Sequence, residues 1–287
     1  MQRKIACFIS GPYRYCDLVL EQLDRHFTKE NLDFDVFIHL WSHDSSDKSR
    51  GGEININTIK NNEKVKALLI QDPLSEEECI SEIKSITGKF SYSYPQYIGH
   101  SPVNNVIGMF KGINELYNYL KNKEILNDYS HILRMRTDIS ISKDALNINL
   151  DEDLVLVSNN PYIEKEKISD HTMLVPTKLF FNIWGWHDSF IKDFAASSYN
   201  PELYLGKKFK KMNIKYRSFL NRFSDYNVIY ETPKSLDPRF IKNCKSKREV
   251  FERRLSKLEI FDVVMIYSKI YITRSLAYRV LRRVLKK

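Results

Sequence analysis

Cysteine is scarce: the 287 residues contain four, Cys7, Cys16, Cys79 and Cys244, with no Cys-x-x-Cys pair among them. Neither a zinc site nor a dense disulfide framework is expected, and a reducing compartment fits that usage. Long apolar runs are missing as well. No stretch approaches the roughly 18 to 20 uninterrupted apolar residues of a spanning helix, and the run of five at residues 5–9 is too short for a signal peptide. The chain has no internal repeat and no low-complexity linker. What it does have is 43% hydrophobic and 13% aromatic residues, enough to build a core in one large or two small domains and to argue against disorder.

Forty-five Lys+Arg against 36 Asp+Glu give a net charge of +9, but the surplus is local. Residues 241–287 carry about +10, and the preceding 240 residues about −1. A neutral body with a basic end points to a localised partner rather than to a nucleic-acid binder.

Hydrophobic periodicity organises the body. Residues 5–10 and 35–41 are apolar runs of buried-strand type, separated by a helical pattern over 16–27, so the chain opens strand, helix, strand with a right-handed crossover. Residues 42–62 are polar and read as a surface loop. A third strand is expected at 65–70. Ser75 with Glu78 three residues on forms a capping box for a helix over 75–86. After Pro102, Val103, Val106, Ile107, Phe110, Ile113, Tyr117 and Leu120 recur at three- and four-residue steps, which predicts a helix with one face on a sheet. Residues 131–141 alternate as one strand, followed by short strands at 154–158 and 172–175, helices at 178–190 and 202–212, and strands at 216–220 and 228–231. The expected architecture is a single α/β domain, residues 1–240, followed by a helical tail at 241–287.

Two clusters could carry chemistry. Ser10-Gly11-Pro12-Tyr13-Arg14 stands where the first strand ends, and in open α/β sheets ligands bind beyond the carboxyl ends of strands. A glycine there lets backbone approach a phosphate and an arginine neutralises it. No Gly-Lys-Ser/Thr follows, so the segment is not a P-loop; the competing reading is a turn with a solvated Arg14. In His131-Ile-Leu-Arg-Met-Arg-Thr-Asp-Ile139, strand alternation puts Arg134, Arg136 and Asp138 on one face. Buried charges of this kind need partners. A diphosphate with a divalent cation would satisfy all three, and a self-contained Arg–Asp network is the alternative. His39 and His43 share no helical face, so His39 reads as a core histidine. Trp41, Trp184 and Trp186 are rings for core packing or for stacking on a base or sugar. His100 and His171 are further candidate contacts for a diphosphate or an acceptor.

The segments KIACFISGPYRYCDLVLEQL, DVFIHLWSHD, VNNVIGMFKGINELYNYL and YSHILRMRTDI together resemble bacterial polysaccharide and lipopolysaccharide glycosyltransferases of GT-A type fold, WavE-like and capsular transferases among them. The likeness covers residues 4–140 well and 150–240 loosely. It implies a GT-A-like, Rossmann-like, mostly parallel sheet flanked by helices, a nucleotide-sugar donor, and a lipid-linked glycan acceptor in cell-surface polysaccharide synthesis. Ser10, Gly11 and Arg14 would stand at the nucleotide pocket, and Asp138 would meet a metal-bound diphosphate, with Mn2+ or Mg2+ as the cation. The pattern departs in one place: Arg136 occupies the position of the first acid in the usual Asp-x-Asp pair, which leaves metal independence as the other option. The base that inverting transfer requires would be Glu202 or Asp170. Each also has a plainer reading, Glu202 as a first-turn acid at a helix N-terminus and Asp170 as a turn residue.

From residue 270 a helical projection gathers Ile270, Ala277, Val280, Leu281, Val284 and Leu285 on one arc and leaves most of the arginines and lysines on the rest. An apolar stripe with a basic flank suits a helix lying on an anionic membrane surface. A peripheral enzyme on the inner face of the cytoplasmic membrane, held through residues 260–287, is therefore the expectation. A non-catalytic scaffold that keeps a nucleotide-sugar fold is the reading from another class. Transfer of a different phosphorylated or sulfated group is a third.

Overall fold

A computed structural model describes residues 4–43, 56–90, 102–142, 148, 150, 153–160, 163, 165–222 and 224–229. The basic tail, His100 and Cys244 lie outside the described residues. Strands β1 (Lys4–Pro12) and β2 (Asp33–Trp41) flank helix α1 (Cys16–Lys29), as the opening pattern predicts. Both strands are buried along nearly their whole length, because a parallel strand inside a sheet covered on both faces must bury successive side chains in opposite directions. Ile5, Cys7 and Ile9 accordingly enter the core beneath α1, while Ala6 and Phe8 enter the core on the other face.

Within the polar stretch after β2 the described part holds a short helix, α2 (Ile56–Lys60), and the chain then enters β3 (Val65–Gln71). Helix α3 (Glu76–Thr87) begins at the expected capping box: the Ser75 hydroxyl accepts from the Glu78 amide at 3.1 Å and donates to the Glu78 carboxylate at 2.8 Å. Helix α4 (Val103–Asn122) starts directly after Pro102 and buries the predicted stripe except Tyr117, which is half-buried. A single 3-10 turn (Leu126–Asp128) leads into β4 (His131–Arg136).

One strand was expected over residues 131–141; two exist. β4 stops at Arg136, Thr137 and Asp138 turn, and β5 (Ile139–Ile141) leaves the main sheet to pair antiparallel with β9 (Tyr226–Val228). Side-chain alternation continues through the turn without glycine or proline, so the sequence pattern carries no break there. β6 (Val155–Asn159) and β7 (Thr172–Pro176) follow. The helix expected over 178–190 is likewise two, α5 (Thr177–Trp184) and α6 (Phe190–Ala195), separated at Gly185. Helix α7 (Pro201–Lys211) and strand β8 (Tyr216–Asn221) complete the series.

The seven-stranded sheet has the order β3-β2-β1-β4-β7-β6-β8, and β7 alone runs against its neighbours β4 and β6, so the sheet is mixed and mostly parallel. Helix α1 packs on one face. Helices α3 to α7 supply the other, where Phe110 meets Trp184, Phe190, Phe194 and Tyr204 with ring centroids 5.0 to 6.0 Å apart.

One close approach fixes the position of α7. A side-chain carbon at Gly206 would lie 2.0 Å from the Glu166 carbonyl oxygen, so α7 rests directly on the backbone of the segment leading to β7. The Gly206→Ala variant should lose about 1–3 kcal/mol by overpacking. Urea unfolding checks this, and a midpoint equal to wild type would show that the two segments do not touch.

Candidate active site

The carboxyl ends of β1 and β4 meet in a pair of stapled turns. Near the end of β1, Gly11 takes φ 128°, a conformation that side-chain-bearing residues rarely adopt, and just past the strand Arg14 takes φ 41°. The Thr137 hydroxyl donates to the Pro12 carbonyl at 2.6 Å, and the Tyr15 amide donates to the Thr137 carbonyl at 3.3 Å. The turn between β4 and β5 is thereby tied to the turn between β1 and α1. Parallel pairing of β1 with β4 sets Ser10 beside Arg136.

Asp138 is the centre of this arrangement. It is fully buried; Arg136 donates Nε to Oδ1 and Nη2 to Oδ2, both at 2.9 Å, and Arg14 donates Nη1 to Oδ2. Burial opposes ionisation of Asp138, but the Arg136 and Arg14 guanidiniums outweigh it and hold the carboxyl far below the usual carboxylate range. Arg14, Arg136 and Asp138 thus pair with one another in the structure. Ser10 and Gly11 lie at the end of β1 beside these turns, and the buried Ser10 hydroxyl has no hydrogen-bond partner among the described residues.

Arg134 is separate from that clamp. It lies on the face of β4 covered by α3 to α7, fully buried, with its guanidinium 5.0 Å from the centre of the Trp184 ring. Its Nη1 donates to the His171 carbonyl at 3.1 Å, while Nε and Nη2 have no hydrogen-bond partner among the described residues. Burial lowers its pKa to about 10, against the pull of Asp170. Trp184 therefore packs in the core, with Arg134 as its polar neighbour. Trp41 is buried, and Trp186 stacks on Phe190 with centroids 4.3 Å apart. His39 is the buried core histidine expected, with Nε2 3.0 Å from the Gln71 amide oxygen.

The two acids reach the site from different elements yet are neighbours. Asp170 precedes β7 in a segment held by hydroxyls: Ser158 Oγ bonds Ser169 Oγ at 3.0 Å, and the His171 and Thr172 amides donate to Ser169 Oγ and Ser158 Oγ, each at 3.3 Å. Glu202 stands in the first turn of α7, which Asn200 caps by accepting from the Leu203 amide at 2.7 Å. The Ile168 amide donates to the Glu202 carbonyl at 3.0 Å and joins the two segments. Burial and then the Asp170 charge push the Glu202 carboxyl up to about 7, with Asn200, Lys167 and Arg136 pulling the other way.

Sequence reasoning missed the third wall of the site. The Tyr226 hydroxyl lies 2.9 Å from His171 Nδ1, and Arg222 donates to Asn160 at 3.3 Å. Burial, followed by Arg222 and Arg136, drives the His171 pKa well below its ordinary value, and burial raises Tyr226 to about 12. Tyr226 arrives through the long-range pairing of β5 with β9, for which the only local signal is a three-residue apolar alternation.

A divalent cation at Asp138 does not fit these residues. Both carboxylate oxygens already accept guanidinium hydrogen bonds, and among the described residues no group of three or more His, Cys, Asp or Glu could hold a metal. Two cavities of about 520 and 560 Å³ lie elsewhere. One is at the amino end of β1, around Lys4, Asp35 and Tyr129, and the other lies between α3 and α6, around Thr87, Lys192 and Tyr199.

No family model and no curated protein matches the chain. Among solved structures it is similar to the catalytic domain of Drosophila beta1,4-galactosyltransferase 7 in complex with xylobiose, at 10% identity over 88% of this chain and 80% of that one, with TM-score 0.38. It is also similar to the glycosyltransferase GlyE of Streptococcus pneumoniae TIGR4, at 11% identity over 75% of this chain and 45% of that one, TM-score 0.39. A third similar structure is the galactosyltransferase LgtC in complex with donor and acceptor sugar analogues, at 10% identity over 75% and 72%, TM-score 0.37.

Replacing Asp138 by Ala leaves two guanidiniums facing an empty, desolvated position and should cost about 3–5 kcal/mol. Because the folded-state pKa of Asp138 is depressed, its contribution is complete above the unfolded-state value of about 3.9 and is lost as pH falls below it. Wild-type stability should thus decline on acidification through that range more steeply than that of Asp138→Ala. Denaturant titrations of both proteins at a series of pH values measure the difference, and parallel curves would contradict the clamp.

Proposed function

We propose that this protein is a glycosyltransferase that moves a sugar from a nucleoside diphosphate donor to a hydroxyl of a glycan acceptor. The observation that carries the reading is the juxtaposition of an arginine-rich strand end with a carboxyl group poised near neutrality. Asp170 and burial raise Glu202 to about 7, close to the pH at which a general base serves best. The Glu202 carboxylate takes the proton of the acceptor hydroxyl as that oxygen bonds to the anomeric carbon. The bond from that carbon to the donor's phosphate oxygen breaks, and its electron pair leaves with the diphosphate. Arg14, Arg134 and Arg136 provide the positive field in which that charge develops. Ser10 and Gly11 lie where nucleotide phosphates approach the β1 turn.

The finer reading is that the acceptor is a lipid-linked glycan in bacterial cell-surface polysaccharide synthesis, at the inner face of the cytoplasmic membrane. The likeness to polysaccharide and lipopolysaccharide transferases and the basic amphipathic pattern of residues 260–287 support it. The pairing of both Asp138 oxygens with Arg14 and Arg136 favours a second reading, a non-catalytic scaffold that retains the fold.

Transfer assays with a panel of nucleotide sugars separate the two, since a scaffold transfers none. With an active donor, Glu202→Gln should lower kcat/KM by about a hundred- to ten-thousand-fold. It should also abolish the rise of wild-type kcat/KM as pH increases through about 7. A Gln variant that keeps the pH limb would assign that limb to another group. The raised pKa has a stability counterpart: between the ordinary Glu value of about 4.3 and the folded value, the folded state holds the proton more tightly, so stability falls as pH rises. Glu202→Gln should lack that fall.

Deleting residues 260–287 should release the protein from vesicles containing anionic phospholipid while leaving donor binding intact. Co-sedimentation unchanged by the deletion would remove the membrane role.

A further inference from the structure

The balance of charge at the carboxyl ends of β1 and β4 says what the site takes. Four guanidiniums converge there: Arg14 and Arg136 on Asp138, Arg134 behind them, and Arg222 beside the His171–Tyr226 pair. Against them stand Asp138, Asp170 and Glu202, the last of these poised near neutrality. Two of these guanidiniums have already satisfied the one carboxylate that a metal would need. A divalent cation entering at Asp138 would have to displace Arg14 and Arg136 from a fully buried partner and sit beside their guanidiniums. A dianion meets the opposite conditions. Arg134 holds two buried nitrogens without hydrogen-bond partners on one edge of its guanidinium, the Nε and Nη2 edge, whose fork geometry suits two oxygens of one phosphate. Buried Ser10 adds a hydroxyl, also without a partner, on the strand neighbouring Arg136. Arg136 is the outermost of the three arginines near Asp138, with its side chain 23% exposed against 10% for Arg14, and so is the first that an entering anion meets.

We propose that the site holds the donor's diphosphate without a divalent cation, Arg136 and Arg134 occupying the role that a carboxylate-bound metal ion plays elsewhere. This rests on the glycosyl-transfer reading, and the two fail differently. When the bond to the anomeric carbon breaks, the electron pair passes to a phosphate oxygen already facing guanidinium protons. No metal is needed to balance the charge, and the acceptor's proton goes to a carboxylate of the site.

Calorimetry with uridine and guanosine diphosphates and their hexose conjugates, on the full chain, tests the idea. Runs in excess EDTA are compared with runs in excess Mn2+ or Mg2+. The expected result is binding of at least one nucleotide with a dissociation constant that agrees within about twofold across the three conditions, and a loss of about tenfold or more in Arg136→Gln, since a charge-assisted contact is removed. Arg134→Met, which keeps packing volume against Trp184, should weaken binding likewise, and a thermal melt of each variant verifies folding. Binding that appears only with Mn2+ or Mg2+ overturns metal independence and leaves glycosyl transfer standing. Metal-free binding that neither variant weakens overturns the arginine assignment. Absence of binding by every nucleotide under all three conditions overturns the glycosyl-transfer reading itself, and this inference with it.

Discussion

A carboxylate with no access to water has to be answered by charge, and at Asp138 two guanidiniums answer it. Much of the upper rim of the sheet depends on that constraint. Arg14 reaches Asp138 from the turn just past β1, where Arg14 itself takes positive φ and Gly11, at the strand's end, takes φ 128°. Arg136 can reach it only because β4 ends where it does and Thr137 turns the backbone. The Thr137 hydroxyl and carbonyl then bind the β1 turn from the other side. Two loops distant in sequence therefore hold each other in place, and each of their hydrogen bonds makes the geometry of the buried ion cluster less costly to maintain.

The parts of the fold that were legible in the sequence are those whose periodicity has a single cause. β1 and β2 are apolar on both faces because they lie in the interior of a parallel sheet, and α4 repeats at three- and four-residue steps because one face packs on that sheet. The capping box at Ser75 is a local interaction between neighbours three apart and is legible for that reason. The break at Thr137–Asp138 was not, because it is caused by partners far away: Arg14, 124 residues earlier, and β9, some ninety residues later. The break at Gly185 had a glycine to mark it, but the apolar spacing carried through.

The same distinction applies to the site. Arg14, Arg136 and Asp138 were legible because buried charges on a strand demand partners. Their mutual satisfaction was one of two open outcomes. Arg134 shares the face of Arg136 by alternation, as expected, but its contact with Trp184 depends on where α5 crosses the sheet. Asp170 and Glu202 stood as alternatives thirty-two residues apart, and nothing in their spacing reports that the Ile168 amide binds the Glu202 carbonyl and makes them neighbours. Gly206 is the residue that allows this approach.

Bringing acids and arginines this close couples the two halves of the site. Arg136 and Lys167 restrain the pKa of Glu202, while burial and Asp170 raise it. An anion that settles against Arg136 cancels part of the restraint and adds negative charge nearby, so its arrival makes the Glu202 carboxylate more basic. Basicity at Glu202 then grows when a negatively charged ligand is in place, and diminishes when that ligand departs. In the proposed reaction, the field that would attract the anion and the field that would tune Glu202 come from the same guanidiniums, so a change to one half of the site would alter the other.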